Sequence, residues 1–379
     1  MVKFGIYQTV NIFYLSAPIT ASIATMLCLP LLKTMPPSEE NTPQNPLRRA
    51  LLRGIPLAAL PFCLPSSLLA VAIKHPSQQV SKAELVRLIA RETGIAKELI
   101  LRNLHDAHFT PSIITRITTP YESRSYSEYR PLFLTNRLKK MGHQYLTEQQ
   151  AIFTKVEKKY HVEPMLIAAI LGMETHYGRN RGRDRIVDSL YTLATGFPRR
   201  ANFFRRELGE FMLLSQEEGR DASRELGSYA GAFGSTQFIP SSFRAYAVDA
   251  DGDGKRNVWD SPDDIIASVA NYFNHHGWQH GRPCAYWLPV SAALTSLAKT
   301  GFDTWQPLAK LRQHLPDLPA IWRDNDKVSI IEMRPKQGRR FALVHYNFYV
   351  ITRWNRSYNY AMAATELAAL LGDVTFAVS

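Results

Sequence analysis

Residues 167–179, IAAILGMETHYGR, constrain this 379-residue chain more than any other stretch. An apolar, helix-forming run carries one carboxylate, Glu174, in its last turn, and Gly178 follows where a helix would stop. Burying a carboxylate without a partner is expensive, so the charge is either paired or used. Arg179, Arg181 and Arg183 stand close by as structural partners. Alternatively, an apolar setting raises the proton affinity of a Glu, and Glu174 could then act as a general acid near neutral pH.

The chain is long enough for two or three domains with a real core. Its net charge of +12 favours an acidic partner such as an anionic cell-wall polymer or lipid. No nucleic-acid partner is expected: there is no RNP-type motif, zinc-finger spacing or long basic run. Of three cysteines, Cys28 and Cys63 sit in apolar N-terminal segments that processing would remove. Cys284 then remains alone, with no intramolecular disulfide and no cysteine-based metal site.

Residues 4–32 form an apolar run long enough to cross a bilayer, interrupted at Gln8, Thr9 and Asn11. A Pro- and Asn-rich linker, 34–46, leads to Arg48, Arg49 and Arg53, an apolar stretch from 55 to 69, and Ala70-Val71-Ala72. That order reads as an export signal cleaved after Ala72. Either residues 1–33 anchor the protein or translation begins later, for example at Met35. Cys63 is a poor lipidation site, because Phe62 stands where a small residue is wanted.

Helical spacing places helices at 81–93, 95–105, 146–160, 163–177 and 184–194, and from Arg199 to about Gln216. Residues 117–131 read as an extended, Tyr-rich connection. Segment 227–243, GSYAGAFGSTQFIPSSF, has three glycines that suit a close backbone approach to a ligand. Another helix follows Ser261, and the last spans 360–371. Between 287 and 349, short β-branched and aromatic runs (LPVS, KVSIIEMRP, RRFALVHYNFYVIT) read as strands, with a short helix in 300–322.

Residues 249–260, DADGDGKRNVWD, match a calcium loop. Asp249, Asp251 and Asp253 take positions 1, 3 and 5, Gly254 makes the sharp turn at position 6, and Lys255 offers its carbonyl at position 7. Position 12 is Asp260 rather than Glu, and Asp264 is the other candidate to close the site. Three carboxylates this close repel unless a cation sits among them. A single loop favours a structural ion over a sensor, since sensors pair their EF-hands.

Taken in order, ILGMETHYGR (170–179), GFPRRANFF (196–204), GSYAGAFGSTQFIPSSFRAYAVD (227–249), the calcium loop, VANYFNHHGW (269–278) and NFYVITRWNRSYNYAMA (347–363) resemble the lytic murein transglycosylase B family. The resemblance runs from about residue 82 to 371. It implies a mainly α, α+β fold: a lysozyme-like helical core with one EF-hand-like loop and a small β-containing subdomain. The expected divisions are 1–72 anchor, linker and signal; 73–130 N-terminal helices; 131–286 catalytic core; 287–349 β-containing subdomain; and 350–379 a C-terminal segment returning to the core.

The resemblance also implies a chemistry. Such enzymes cut the β-1,4 bond between N-acetylmuramic acid and N-acetylglucosamine in peptidoglycan without water, leaving a 1,6-anhydro end. That suits a sequence offering one well-placed Glu where an ordinary glycosidase needs two carboxylates. Residue by residue, it implies that Ser228 and Gln237 bond the sugars near Glu174. Tyr129 and Tyr272 would line the cleft, Arg199 and Arg200 would meet acidic peptide and lactyl groups, and Asn355 and Tyr360 would complete the site. At Trp354 the sequence departs from a family tyrosine, which implies an aromatic platform without a phenolic hydrogen bond. A periplasmic location follows, with membrane anchoring and cell-wall synthase partners left open.

Overall fold

The computed structural model describes residues 80–119, 124–298, 302, 305–315, 317–333 and 338–372. The N-terminal anchor, linker and signal assignments, with Cys28 and Cys63, lie outside the described residues.

The centre is helix α7 (Pro164–Thr175), with ten of its residues buried. A helix apolar on every side can sit only inside a fold. Around it pack α5 (Asn136–Glu148), α6 (Gln150–Tyr160), α11 (Pro262–His275), α13 (Tyr346–Trp354) and α14 (Tyr358–Leu370), forming one large apolar cluster. A second cluster joins α1 (Lys82–Thr93), α2 (Lys97–Leu104), α3 (Pro111–Thr118), α8 (Ile186–Gly196), α9 (Ala201–Glu217) and α10 (Pro240–Tyr246) to the glycine-rich segment. Trp354 packs against both clusters.

The four-stranded antiparallel sheet has the order β3 (Ala285–Leu288), β6 (Arg340–His345), β5 (Lys327–Met333), β4 (Gln306–Pro307). Its side chains alternate between two apolar layers, as the strand period of two requires. Ile331, Met333, Ala342 and Val344 join the large cluster, whereas Val328, Ile330, Phe341 and Leu343 face a smaller one with Leu308, Leu311 and Trp322. The sheet therefore shares the core of the helical body on one side. Short α12 (Ala292–Leu297) and two 3-10 turns follow β3. A two-residue pairing of β1 (Asp184–Arg185) with β2 (Leu226–Gly227) ties the end of the 179–183 loop to the glycine-rich segment.

Several local expectations are corrected. Residues 126–132 are helical rather than extended: α4 (Tyr126–Tyr129) runs into a 3-10 turn. The signal is a capping box, with Ser125 and Glu128 bonding each other's backbone. NFYVIT is helix, not strand. Its buried residues, Asn347, Phe348, Val350, Ile351 and Thr352, follow a helical stripe that leaves Tyr346, Tyr349 and Arg353 outside. β-branched content is a weak strand signal when packing on both sides is available. The helix expected at 146–160 is α6, which starts at Gln150, and α5, capped by Thr135, precedes it as a separate helix that was not expected. Helix α10 was unanticipated and begins at Pro240.

Candidate active site

Helix α7 ends at Thr175, and the chain then takes three consecutive left-handed residues: His176 (φ 51°), Tyr177 (φ 58°) and Gly178 (φ 81°). The helix thus stops on His176 rather than on the glycine. Two bulky residues in this region cost free energy that the surroundings must supply. Thr175 is one source: its Oγ1 donates to the Ser235 carbonyl (3.0 Å) and accepts from the Gly178 N–H (2.9 Å). Tyr177 folds back over the helices, its hydroxyl lying 2.6 Å from where a Cβ on Gly172 or Gly142 would be. Only glycine fits at either place.

Glu174, immediately before this turn, is buried at 5% exposure. Its Oε1 accepts from the Trp354 indole Nε1 (2.8 Å) and from the Tyr360 hydroxyl (2.7 Å). Both of these donors to Oε1 are neutral, and Arg181 pairs with Asp260 (2.9 Å). Trp354 is more than a platform. Its ring stacks on Phe273 (5.5 Å, 6°), and its N–H supplies the hydrogen bond that the loss of a phenol seemed to remove. Tyr360 is aimed by Ser357, whose hydroxyl accepts the Tyr360 N–H (3.2 Å) as the N-cap of α14. Asn355 lies between them, buried, its Oδ1 accepting from the Ser357 N–H (3.0 Å).

The glycine-rich segment packs beside this turn, through Ser235 on Thr175 and Phe238 on Trp354. Gln237 takes a left-handed φ of 53°, and its Nε2 donates to the carbonyls of Arg181 and Gly234 (3.0 Å each). Ser228 Oγ accepts from the Ala230 (3.3 Å) and Ala232 (3.0 Å) N–H groups, folding the turn. Gly182 passes so close to Gly227 that an added Cβ would lie 1.9 Å from its carbonyl oxygen.

Other expected positions fall differently. Tyr129 is fully buried against Phe133 instead of facing an open cleft. Tyr272 is also buried, its hydroxyl donating to the Arg353 carbonyl (2.5 Å) and its ring stacked on His276 (4.1 Å). Arg199 is exposed, whereas half-buried Arg200 lies over Phe203 (3.9 Å). Burial and then the Arg356 charge hold the Arg200 guanidinium below its ordinary proton affinity.

One acid escaped sequence reasoning. Glu207 on α9 is 3% exposed and accepts from the Ser241 N–H (2.9 Å) and hydroxyl (2.7 Å) at the start of α10. Burial pushes its carboxyl up to about 7. The signal for it was faint: one Glu among apolar positions of a long helix.

In the 249–260 loop, one oxygen of each of Asp249, Asp251 and Asp253 lies within 4.8 Å of the others. Asp249 accepts from the Gly252 (2.7 Å) and Gly254 (2.8 Å) N–H groups, and both glycines are left-handed. The Ser261 hydroxyl bond to Asp251 (2.6 Å) holds that carboxyl below the usual range. Asp264, fully buried, accepts from the Ala250 (2.7 Å) and Asn257 (2.6 Å) N–H groups with its two oxygens, pinning the loop's limbs together. Asp260 and Asp264 thus stand outside the three-carboxylate group. A convergent all-oxygen donor set of this kind fits a hard cation such as calcium.

A helical body packed around the helix that carries Glu174, with a glycine-rich segment beside it and C-terminal aromatics bonded to its carboxyl, is a lysozyme-like arrangement. The chain belongs to the Transglycosylase SLT domain family, whose model matches residues 77–369. It is 36% identical over 254 residues to membrane-bound lytic murein transglycosylase B of Escherichia coli (strain K12), across 64% of this chain and 66% of that protein. It thus spans just under two thirds of that relative's length. Soluble lytic transglycosylase SltB1 from Pseudomonas aeruginosa superposes with a TM-score of 0.69 at 40% identity, covering 76% of this chain and 97% of that one. The Escherichia coli lytic transglycosylase SLT35, solved in complex with calcium, does so at 0.68 and 31% identity, covering 79% and 97%.

Proposed function

We propose that the protein is a lytic transglycosylase that cleaves the β-1,4 bond between N-acetylmuramic acid and N-acetylglucosamine in peptidoglycan without water, leaving 1,6-anhydromuramic ends. The observation that carries this is Glu174, a buried carboxyl with one oxygen held by two neutral donors from α13 and α14. Other buried acids are committed to structure. Glu163 accepts from Trp278 and Gly281, Glu207 from Ser241, Asp326 from Arg282, and Glu366 from Trp287 and Arg130.

Protonated Glu174 donates to the leaving glycosidic oxygen. As carboxylate it then takes the proton from the muramic C6 hydroxyl as that oxygen attacks C1. The substrate's N-acetyl group shares the charge at C1, which removes the need for a second carboxylate. A site in the last turn of α7, where the helix's partial negative charge collects, favours the neutral acid. The Trp354 and Tyr360 donors stabilise the anion when it forms. Ser228, Gln237 and Asn355 bond the sugars. Arg199 and Arg200 meet lactyl and peptide carboxylates. Tyr129 and Tyr272 support the wall from beneath.

A structural calcium ion fits the 249–260 loop, held by Asp249, Asp251, Asp253 and the Lys255 carbonyl, with Asp260 as the closing ligand and Asp264 as the loop's internal brace. The ion would fix the segment that follows the glycine-rich wall. The export-signal reading of residues 48–72 supports a periplasmic location, which sequencing the mature N-terminus tests. Among the described residues no helix is long and apolar enough to cross a membrane.

Mass spectrometry of digested sacculi tests the reaction: 1,6-anhydro ends are expected, and reducing ends would make the protein a hydrolytic muramidase. Glu174→Gln should abolish turnover while keeping fold and glycan binding. Normal digestion by that variant would sink the assignment.

A further inference from the structure

Helix α14 delivers the Tyr360 hydroxyl to Glu174, yet most of what it buries is small. Ala361, Ala363, Ala364 and Ala368 are buried along it, with Met362 and Leu367. Alanine ridges are shallow, so packing alone resists sliding along the axis or turning about it only weakly. The 2.7 Å bond from Tyr360 to Glu174 Oε1 tolerates little of either movement.

Glu366 supplies the missing constraint. It is buried, and each of its oxygens accepts from a different element. Oε2 takes the Arg130 Nε–H (2.5 Å) from the 3-10 turn after α4, and Oε1 takes the Trp287 indole Nε1–H (2.9 Å) from β3. Trp287 is itself held, with the Arg340 guanidinium over its ring (3.7 Å) and the Tyr126 ring against it (5.7 Å). Glu366 stands six positions after Tyr360, which is about 9 Å along α14 and about 120° around it. Bonds at two such places stop the helix from sliding and from turning. Asn359 adds a bond to the Arg124 carbonyl (2.9 Å), but that one is exposed to water. A carboxylate suits the place because both oxygens accept. A glutamine would turn a donor toward either Arg130 or Trp287.

We propose that Glu366 is a positioning residue for the reaction: through Arg130 and Trp287 it sets the placement of α14 that brings the Tyr360 hydroxyl to Glu174. This rests on the transglycosylase reading above. Glu366 acts on the acid only through Tyr360, so its effect on the rate must vanish once that hydroxyl is gone. It bears on the stabilisation of the Glu174 carboxylate and leaves glycan binding as it was.

The experiment is a double-mutant cycle. Release of 1,6-anhydro fragments from soluble peptidoglycan strands gives kcat and KM for wild type, Glu366→Gln, Tyr360→Phe and the double variant. Tyr360→Phe removes a hydrogen bond to a carboxylate and should lower kcat by about 10- to 150-fold. Glu366→Gln should lower kcat by about threefold or more at unchanged KM, and by less than about twofold in the Tyr360→Phe background. Arg130→Gln, at a half-exposed side chain, should show the same pattern with a smaller loss, and it decides the matter if Glu366→Gln does not fold. An equal loss of kcat in both backgrounds would mean that these residues only stabilise the fold, and it overturns the inference. So does a wild-type kcat in the Glu366 and Arg130 variants. A wild-type chain that releases no anhydro ends overturns the transglycosylase reading, and the inference falls with it.

Discussion

Glu207→Gln separates a buried structural acid from a catalytic one. Glu207 titrates near 7 because burial strips water from its carboxylate, and the two Ser241 donors only partly offset that. A perturbed acid in the same protein as Glu174, the proposed catalytic acid, invites a functional reading. Its geometry argues otherwise: it is 3% exposed, and both oxygens brace the first turn of α10. Its perturbation should therefore be visible in stability. The folded carboxyl keeps its proton to about 7, whereas the unfolded one loses it at the ordinary 4.5. Between those values the folded state binds more protons, so stability falls as pH rises. The contribution is fully present below 4.5 and lost on passing through 7. At about 1.4 kcal/mol per tenfold change in proton affinity, the loss comes to about 3 kcal/mol.

Glutamine mimics the protonated acid, since the Ser241 hydroxyl can turn from donor to acceptor. Urea unfolding of wild type and Glu207→Gln should be followed from pH 4 to pH 8. The stability difference should swing by about 3 kcal/mol in the variant's favour across that range, and then stay flat. Asp264 and Glu163, whose carboxyls burial also raises, titrate equally in both proteins and cancel. Two curves that run parallel to within about 1 kcal/mol would refute the assignment of the shift to Glu207.

Trp354→Phe keeps the ring stack on Phe273 but removes the donor to Glu174. A hydrogen bond to a charged group is worth about 1.5–3 kcal/mol, so release of soluble fragments from labelled sacculi should slow about 10- to 150-fold. A wild-type rate would show that the bond does not matter to the reaction. Gly182→Ala should cost about 2–4 kcal/mol, because the residue sits at φ 108° with the Gly227 carbonyl against it; an unchanged urea midpoint would contradict this close approach. Calcium at a hundred times its Kd should stabilise the fold by about 2.7 kcal/mol, seen as a rise in Tm that chelator reverses and Asp249→Asn abolishes. A Tm indifferent to calcium would remove the ion from the loop.

The sequence made the buried helix legible because apolar residues on every face allow only one location. The grouping of Asp249, Asp251 and Asp253 was legible because the three are local, each spaced by the turn it occupies. The Glu174 donors were harder to see. Trp354 and Tyr360 lie 180 and 186 residues away in sequence, and only the packing of α13 and α14 brings them to the acid. Sequence chemistry treated Trp354 as a lost hydroxyl, since it compared side chains rather than the atom that arrives at Glu174. The strand reading of NFYVIT failed for the opposite reason: local propensity was followed where the helical burial stripe of α13 decided the outcome. Tyr129 carried a cleft role by analogy; the structure shows it buried against Phe133.

The position of Glu174 follows from what it costs to hold it there. An acid in the last turn of an apolar helix gains nothing from the helix dipole and loses its water. The residues after it are left-handed, and so is Gln237 in the glycine-rich segment. Strain of this kind persists only where the surroundings fix the backbone more firmly than the strain opposes it. Here the fixing is done by segments far apart in the chain. Thr175 bonds Ser235 and Gly178, Ser235 in turn donates to the Trp259 carbonyl (3.1 Å), and Val258 and Trp259 belong to the acidic loop. A path of hydrogen bonds therefore runs from the loop through Ser235 to the residue next to Glu174. The loop's tightness bears on the acid by this route. A cation held in such a loop, which opens six residues past segment 227–243, would stiffen the backbone against which the strained turn is held.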